Sequence, residues 1–288
     1  MKVLVTGAGG QVGHELVATA PDGIAVTAVN RADLDIGDAA AVAAALAASG
    51  ARWLVNAAAY TAVDRAESDR EAARTINDVA VGTLATAARA AGARLVQLST
   101  DFVFDGRSSR AYRPEDAPNP LSVYGRTKLD GERRALAADC GAIVLRTSWV
   151  YAAHGRNFAL TMLKLLAERD RVRVVADQIG APTWARGLAR AIWALVRADA
   201  APGILHWCDL GVASWYDFAV AIQDEGFARG LLPRRVPIEP IATAEYPTPA
   251  ERPAFSLLDT RATRDLIDAP ALHWRHHLQG MLDDRRPA

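Results

Sequence analysis

The sequence predicts an α/β protein: a doubly wound parallel sheet of Rossmann type, joined by a smaller, discontinuous second region. Three observations carry this. Short β-rich apolar runs alternate with helical patterns over residues 1–150, a glycine-rich loop follows the first run, and the alternation loosens after Val150. Strands separated by helices through short connections imply right-handed parallel crossovers and a sheet covered on both faces.

Lys2-Val-Leu-Val-Thr6 is the first strand, and Gly7-Ala-Gly-Gly-Gln-Val-Gly13 leads from it into a helix through Leu16 and Val17. Residues 24–29 are a second strand. Asp38 is placed to cap an alanine-rich helix, and residues 53–56 are a third strand. Residues 72–91 read as one long helix and 95–99 as the next strand. A polar, proline-rich loop over 106–120 leads to a helix carrying Tyr124, and a strand over 142–146 follows. Beyond it, 157–168 and 185–196 are helical and 173–175 is a short strand. The domain reading is a dinucleotide-binding unit over 1–150, completed by parts of 167–207, with 151–288 mainly a substrate-binding region.

The totals limit what the chain can be. With 288 residues, 51% hydrophobic, it can bury a full core, and 33 basic against 33 acidic residues leave no electrostatic footprint for nucleic acid or an anionic membrane. The alanine-rich stretch 39–48 is too short to span a bilayer, which takes about 20 residues. Met1-Lys2 leads straight into a strand with no cleavage-site pattern. Cys140 and Cys208 have neither metal spacing nor a disulfide framework, so a reducing, cytoplasmic setting is expected.

A glycine loop between a first strand and a first helix is the context for a dinucleotide pyrophosphate: Gly7, Gly10 and Gly13 permit tight turning and close approach, and the helix end offers free N–H groups. An acidic residue at the end of the second strand would favour NAD; the chain has Asn30-Arg31, and Arg31 can pair with a 2′-phosphate. NADPH is therefore expected to serve at least as well as NADH. Asp35 is placed to accept from the adenine amino group.

Tyr124 and Lys128 stand four residues apart, on one face of a helix. The chain has only three lysines and 6 tyrosines, so the spacing is expected by chance about 0.06 times. A cation beside a phenol favours its ionised form, which suits proton transfer in carbonyl–alcohol redox chemistry. Thr100, ending a strand, falls at the sheet edge where ligands bind and can donate to a carbonyl oxygen.

With these residues in view the chain resembles the extended short-chain dehydrogenase/reductases, and within them the dTDP-4-dehydrorhamnose reductase family. The matching stretches are the glycine loop, Val55-Asn-Ala-Ala-Ala-Tyr-Thr-Ala-Val-Asp-Arg-Ala-Glu67, Ser99-Thr-Asp-Phe-Val-Phe104, Val123-Tyr-Gly-Arg-Thr-Lys128, Leu145-Arg-Thr-Ser-Trp-Val-Tyr151, Asp177-Gln-Ile-Gly-Ala-Pro-Thr183 and Tyr246-Pro-Thr-Pro-Ala-Glu-Arg-Pro253. The resemblance implies NAD(P)H-dependent reduction of the C4 keto group of a dTDP-4-dehydro-sugar. Tyr124 would be the proton donor, and Lys128 would lower its pKa and hold the nicotinamide ribose. Thr100 would orient the carbonyl, with Asp101 tuning the tyrosine. Ala57, Ala58 and Ala59 would line the cofactor, and Gln11, Val12, Ile36, Thr61 and Leu98 complete its contacts. Phe102 and Trp149 would face the sugar; Asn157 and Arg252 are candidates for its diphosphate, with a structural ion pair the alternative for Arg252. The resemblance admits a homodimer and Mg2+ at an oligomer contact, without placing metal ligands. His273 and His277 share a helical face but lack a third ligand, so a solvated C-terminal helix is expected there. Dehydratases of the superfamily need a glutamate after the Thr-Asp pair, where this chain has Phe102; epimerases keep and recycle their cofactor; a non-catalytic subunit would have lost Tyr124 or Lys128.

Overall fold

In the computed structural model, which describes residues 1–268 and 271–285, the chain begins β1 (Lys2–Thr6), α1 (Gln11–Ala18), β2 (Ala25–Val29), α2 (Ala39–Ser49), β3 (Trp53–Asn56). Two short helices, α3 (Val63–Ala66) and α4 (Arg70–Arg74), lead through a π-turn at Thr75–Val79 into α5 (Ala80–Ala90). Then come β4 (Arg94–Thr100), α6 (Val123–Ala137) and β5 (Ile143–Thr147). The second half runs β6 (Val150–Tyr151), α7 (Phe158–Glu168), β7 (Val172–Val175), β8 (Ile179–Gly180), β9 (Thr183–Trp184), α8 (Ala185–Arg197), β10 (Gly203–His206), β11 (Ala213–Ser214), α9 (Trp215–Ala228), β12 (Ile238–Ile241), α10 (Arg261–Leu266) and α11 (Trp274–Asp283).

Six parallel strands make the main sheet, in the order β2-β1-β3-β4-β5-β10. Alternation along each strand sends side chains to opposite faces. Val3, Val5, Trp53, Val55, Val96 and Ile143 pack towards Leu16 of α1 and Leu188 and Ile192 of α8. Leu4, Leu54, Leu95 and Val144 pack the other way, against Val42 and Leu46 of α2 and Leu84 and Ala88 of α5. The chain order reverses at β1, with β2 on one side and β3 on the other, which opens a crevice at the carboxyl ends of these strands.

The remaining elements form a second packing unit, in which α7, α9, α11, β7 and β12 share a core around Phe218, Ile222, Leu278 and Met281. The parallel pair β7–β12 and two two-residue pairings, β8–β11 and β6–β9, frame it.

Two expectations change. The long helix begins at Arg70 and is interrupted by the π-turn, which turns Asn77 inward. The C-terminal helix is not solvated: Trp274, Leu278 and Met281 are buried, and His277 is 5% exposed with its Nδ1 2.8 Å from Asp209 Oδ2. Asp209 also accepts from the Trp184 backbone N–H at 3.0 Å, so the pair ties α11 to the start of α8. Removing the imidazole leaves a buried carboxylate short of a partner, at a cost of roughly 1–3 kcal/mol. His277→Ala is therefore expected to lower Tm by on the order of 5 °C in a calorimetric scan; an unchanged Tm would show the pair to be energetically neutral.

Candidate active site and cofactor cradle

The glycine loop is built by close approach. Gly7 has φ +73°, and a Cβ there would lie 2.5 Å from the Ala58 backbone nitrogen. A Cβ on Gly13 would lie 2.1 Å from the Gly7 carbonyl oxygen. Both positions exclude any side chain, while a Cβ on Gly10 would lie 3.3 Å from the Gly7 carbonyl oxygen and one on Gly9 would meet only Asn30 at 3.9 Å. Gly10 is the N-cap of α1 and supplies no side-chain hydrogen bond, so the first N–H groups are left for an anion. A pyrophosphate thus fits this cradle. Gly13→Ala should cost about 1–3 kcal/mol of stability through overpacking and abolish detectable nucleotide binding in a fluorescence titration; wild-type affinity in that variant would remove the cradle from the binding site.

A buried hydrogen-bond rail crosses the strand ends beneath the cradle. Thr6 Oγ1 donates to Asn56 Oδ1 at 2.6 Å, which also accepts from the Ala58 N–H at 3.1 Å. Asn56 Nδ2 donates to Gln97 Oε1 at 2.7 Å, and Gln97 Nε2 to the Leu98 carbonyl at 2.8 Å. Asn77, from the π-turn, both accepts from the Tyr60 N–H (2.9 Å) and donates to the Tyr60 carbonyl (3.0 Å), fixing the segment that carries Ala57, Ala58 and Ala59. Thr61, next in line, is exposed, and Ile36 is buried in the core behind the sheet. None of Asn56, Gln97 and Asn77 was singled out from sequence; an asparagine inside a helical run was the one signal for Asn77.

At the end of β2, Asn30 N–H donates to Asp33 Oδ2 at 2.9 Å and its side-chain oxygen accepts from Ala32 N–H at 2.8 Å. An acid is therefore present on this turn, three residues beyond Asn30, folded back onto the backbone. Asp35 accepts from Gly37 N–H at 2.9 Å. Arg31 is exposed and forms no ion pair among the described residues.

The reacting side chains lie at the ends of β4 and α6. Ser122 caps α6 by accepting from Gly125 N–H at 3.1 Å. A Cβ on Gly125 would lie 2.2 Å from the Phe102 carbonyl oxygen, so this glycine lets the first turn of α6 press on the turn after β4. Tyr124 is thereby set edge-on to Phe102, ring centroids 5.9 Å apart, and hydrogen-bonded with Thr100. Thr100 donates to Asp101 Oδ1 at 3.0 Å. Burial drives the Tyr124 phenol up to about 12, opposed by the Thr100 bond and reinforced by Asp101. Burial likewise raises Asp101 to about 7, against hydrogen bonds with Ser256 and Thr100.

The phenol is thus not lowered by its lysine neighbour, contrary to expectation. Lys128, 3% exposed, donates from Nζ to the Leu98 carbonyl at 2.6 Å, the same oxygen that ends the rail. Burial brings its ammonium down to about 8, with Glu132 pulling the other way. Glu132 accepts from Ser99 Oγ at 2.5 Å and from Arg146 at 2.9 and 2.7 Å.

The sugar-side candidates divide. Trp149, at φ +46°, follows β5 and stacks on Trp215 at 3.6 Å and 7°, with Gly180 leaving room for its ring. Asn157 caps α7 by accepting from Leu160 N–H, and its Nδ2 donates to Gln11 Oε1 at 2.8 Å. Arg252 forms a two-pronged ion pair with Asp64 at 3.0 and 2.7 Å. The magnesium that the resemblance admits does not suit the donor cluster that the described residues bring together: His14, Glu15 and His154 offer two nitrogens and one carboxylate, whose second oxygen is bonded to Arg186.

A parallel sheet reversing at β1, a glycine cradle there, and a tyrosine and lysine one turn apart define an extended short-chain dehydrogenase/reductase. Within that class the chain belongs to the family described as RmlD substrate binding domain, whose model matches residues 1–286. A dTDP-4-dehydrorhamnose reductase of Burkholderia thailandensis is 42% identical over 286 residues, 96% of each chain. The crystal structure of a dTDP-4-dehydrorhamnose reductase from Clostridium acetobutylicum superposes with a TM-score of 0.93 at 36% identity, covering 100% of both chains. Another from Bacillus anthracis, in complex with NADP, gives 0.92 at 31%, covering 98% of this chain and 99% of that one. Among the described residues, no helix is long and apolar enough to cross a membrane.

Proposed function

We infer that this chain is an NAD(P)H-dependent oxidoreductase that reduces the C4 keto group of dTDP-4-dehydro-L-rhamnose to give dTDP-L-rhamnose. The observation that carries this reading is a phenol kept protonated, hydrogen-bonded with Thr100 at the strand end and one turn from a buried lysine, beside a cradle that only glycine can form. A reduced nicotinamide, held by the glycine loop, the segment 57–59 and Lys128, supplies the hydride when bound.

The residues of the chain handle the oxygen. Thr100 Oγ donates to the carbonyl oxygen and orients it. Tyr124 passes its phenolic proton to that oxygen as it becomes an alkoxide, and the Lys128 ammonium stabilises the phenolate left behind. Asp101 sets whether Thr100 is free to donate: as an anion it accepts the threonine's hydrogen bond, and as an acid it can donate one to Thr100 instead. Trp149, backed by Trp215, is the apolar wall for the sugar. Phe102 stands where the dehydratases need a glutamate, which removes the acid–base group for water loss.

The two cysteines are buried and unpaired, in keeping with the cytoplasm as the place of reaction. A homodimer is the assembly proposed. The test is loss of absorbance at 340 nm with purified protein, the 4-keto nucleotide sugar and either cofactor, with the product identified as dTDP-L-rhamnose. Folded protein that consumes neither cofactor refutes this function. In the same assay Arg31→Ala should raise KM for NADPH about fivefold, the worth of one exposed ion pair of about 1 kcal/mol, and leave NADH unaffected. Equal changes for both cofactors would take Arg31 away from the 2′-phosphate.

A further inference from the structure

On the reductase reading above, we propose that Asn157 is a positioning residue that couples the two ligand sites. Held on Gln11, it sets the Trp149–Trp215 wall against the cofactor cradle, so that nicotinamide nucleotide and nucleotide sugar each strengthen the binding of the other. The Asn157 carboxamide is spent inside the protein. Its Oδ1 caps α7 by accepting from Leu160 N–H at 3.0 Å, which fixes the way the amide faces. Nδ2 then meets three oxygens: Gln11 Oε1 at 2.8 Å, the Ala152 carbonyl at 2.9 Å and the His154 carbonyl at 3.2 Å. An amide nitrogen has two hydrogens, so none is left for a substrate diphosphate. Gly155, at φ +75°, lets the loop lie on Gln11: a Cβ there would be 3.2 Å from Gln11 Cγ. Only the bond to Gln11 leaves the loop, and it spans 146 residues.

The two ends of this tie lead to the two ligands. Gln11 is the first residue of α1, whose leading N–H groups are left for the pyrophosphate. Phe158, next to Asn157, packs its ring on Trp215 at 4.7 Å and 46°, and Trp215 stacks on Trp149 at 3.6 Å. Trp215 is held from its far side as well, its Nε1 donating to Gln178 Oε1 at 3.2 Å. Successive residues at one helix end thus grip the cradle and the sugar wall. A helix moves as a rod, so a pyrophosphate that fixes Gln11 also fixes the start of α7 and the tryptophan pair. Cutting the tie leaves both sites built but independent. Such coupling is reciprocal, equal in factor whichever ligand binds first.

The test uses the full chain with NADPH and dTDP-L-rhamnose, a reduced cofactor and an alcohol, which cannot react with each other. Each is titrated by fluorescence with and without a saturating amount of the other. In the wild type each ligand is expected to tighten the other at least about fivefold, by the same factor both ways. Asn157→Ser keeps a capping oxygen and loses the reach to Gln11. Gln11→Met removes the acceptor and keeps every other bond of Asn157. Each should bring the factor to about one, and their combination should go no further. At saturating NADPH, KM for the keto sugar should rise in both variants by more than kcat falls. A merely structural defect would weaken single-ligand binding and leave the factor in place.

Independent binding in the wild type, a wild-type factor in either variant, or loss in Asn157→Ser alone would each overturn the proposal. Coupled binding in a chain that turns over neither cofactor with the keto sugar would refute the reductase reading and leave the tie standing. Folded protein with no affinity for dTDP-L-rhamnose would refute both.

Discussion

Tyr124→Phe is expected to lower kcat by about two to four orders of magnitude, the usual worth of a positioned general acid, while leaving the fold intact. The ring remains packed on Phe102 and on the small apolar cluster of Ala66, Ala73 and Val123, so only the hydroxyl and its bond with Thr100 are lost. Matched melting curves with a kcat within tenfold of wild type would sink the assignment. The pH profile sharpens it. Since the phenol is held at about 12, the proton to be donated is present throughout the neutral range. What titrates near neutrality is its support. Asp101, raised to about 7, ionises first and engages the Thr100 hydroxyl as a hydrogen-bond donor; Lys128, lowered to about 8, then loses the charge that stabilises the phenolate. Both changes act in one direction, so kcat/KM should fall as pH rises from 7 to 9.

Stability distinguishes this fall from unfolding. Between about 8 and 10.5 the unfolded chain holds the Lys128 proton more often than the folded one, so this group makes stability rise with pH over that window. Asp101 acts over 3.8 to about 7, where the folded chain binds more protons and its contribution declines as pH rises. Above pH 8 the lysine should therefore cost activity while adding stability, which unfolding cannot mimic.

What the sequence disclosed was what lies close along the chain. The glycine loop, the Tyr124–Lys128 spacing and Asp38 as a helix cap are local patterns, and the alternating strands and helices fixed the parallel sheet. The supports of the site are long-range. Asn56 meets Gln97 across 41 residues, Asn77 meets Tyr60 across 17, and Arg252 meets Asp64 across 188, so no window contains both partners. The phenol was misjudged for a related reason: spacing puts Lys128 on the right face, but burial and the Leu98 carbonyl decide where its ammonium points and what it does. His277 was read as solvated because its partner, Asp209, lies 68 positions earlier. Glu132 was not singled out either, although it stands one turn beyond Lys128 on the same face of the helix.

That glutamate gives the second large effect. Glu132 and Arg146 have side chains 2% exposed each, and two hydrogen bonds join them. Removing either partner strands a buried charge, at a cost of about 3–5 kcal/mol, which for a chain of this size is a fall in Tm on the order of 10 °C. Glu132→Gln and Arg146→Met should each show it, and their combination should cost less than the sum, because neither charge is then left alone. Strict additivity would mean that the two do not act as a pair. Their effects on catalysis should diverge. Glu132 holds the Lys128 proton in place, so Glu132→Gln should move the basic limb of the pH profile to lower pH. Arg146 neutralises Glu132, so Arg146→Met leaves that carboxylate to act on Lys128 undiluted and should move the limb to higher pH. Two substitutions that destabilise alike yet shift the limb in opposite directions would place the pair in control of the lysine charge; shifts of the same sign would reduce it to a structural element beneath the site.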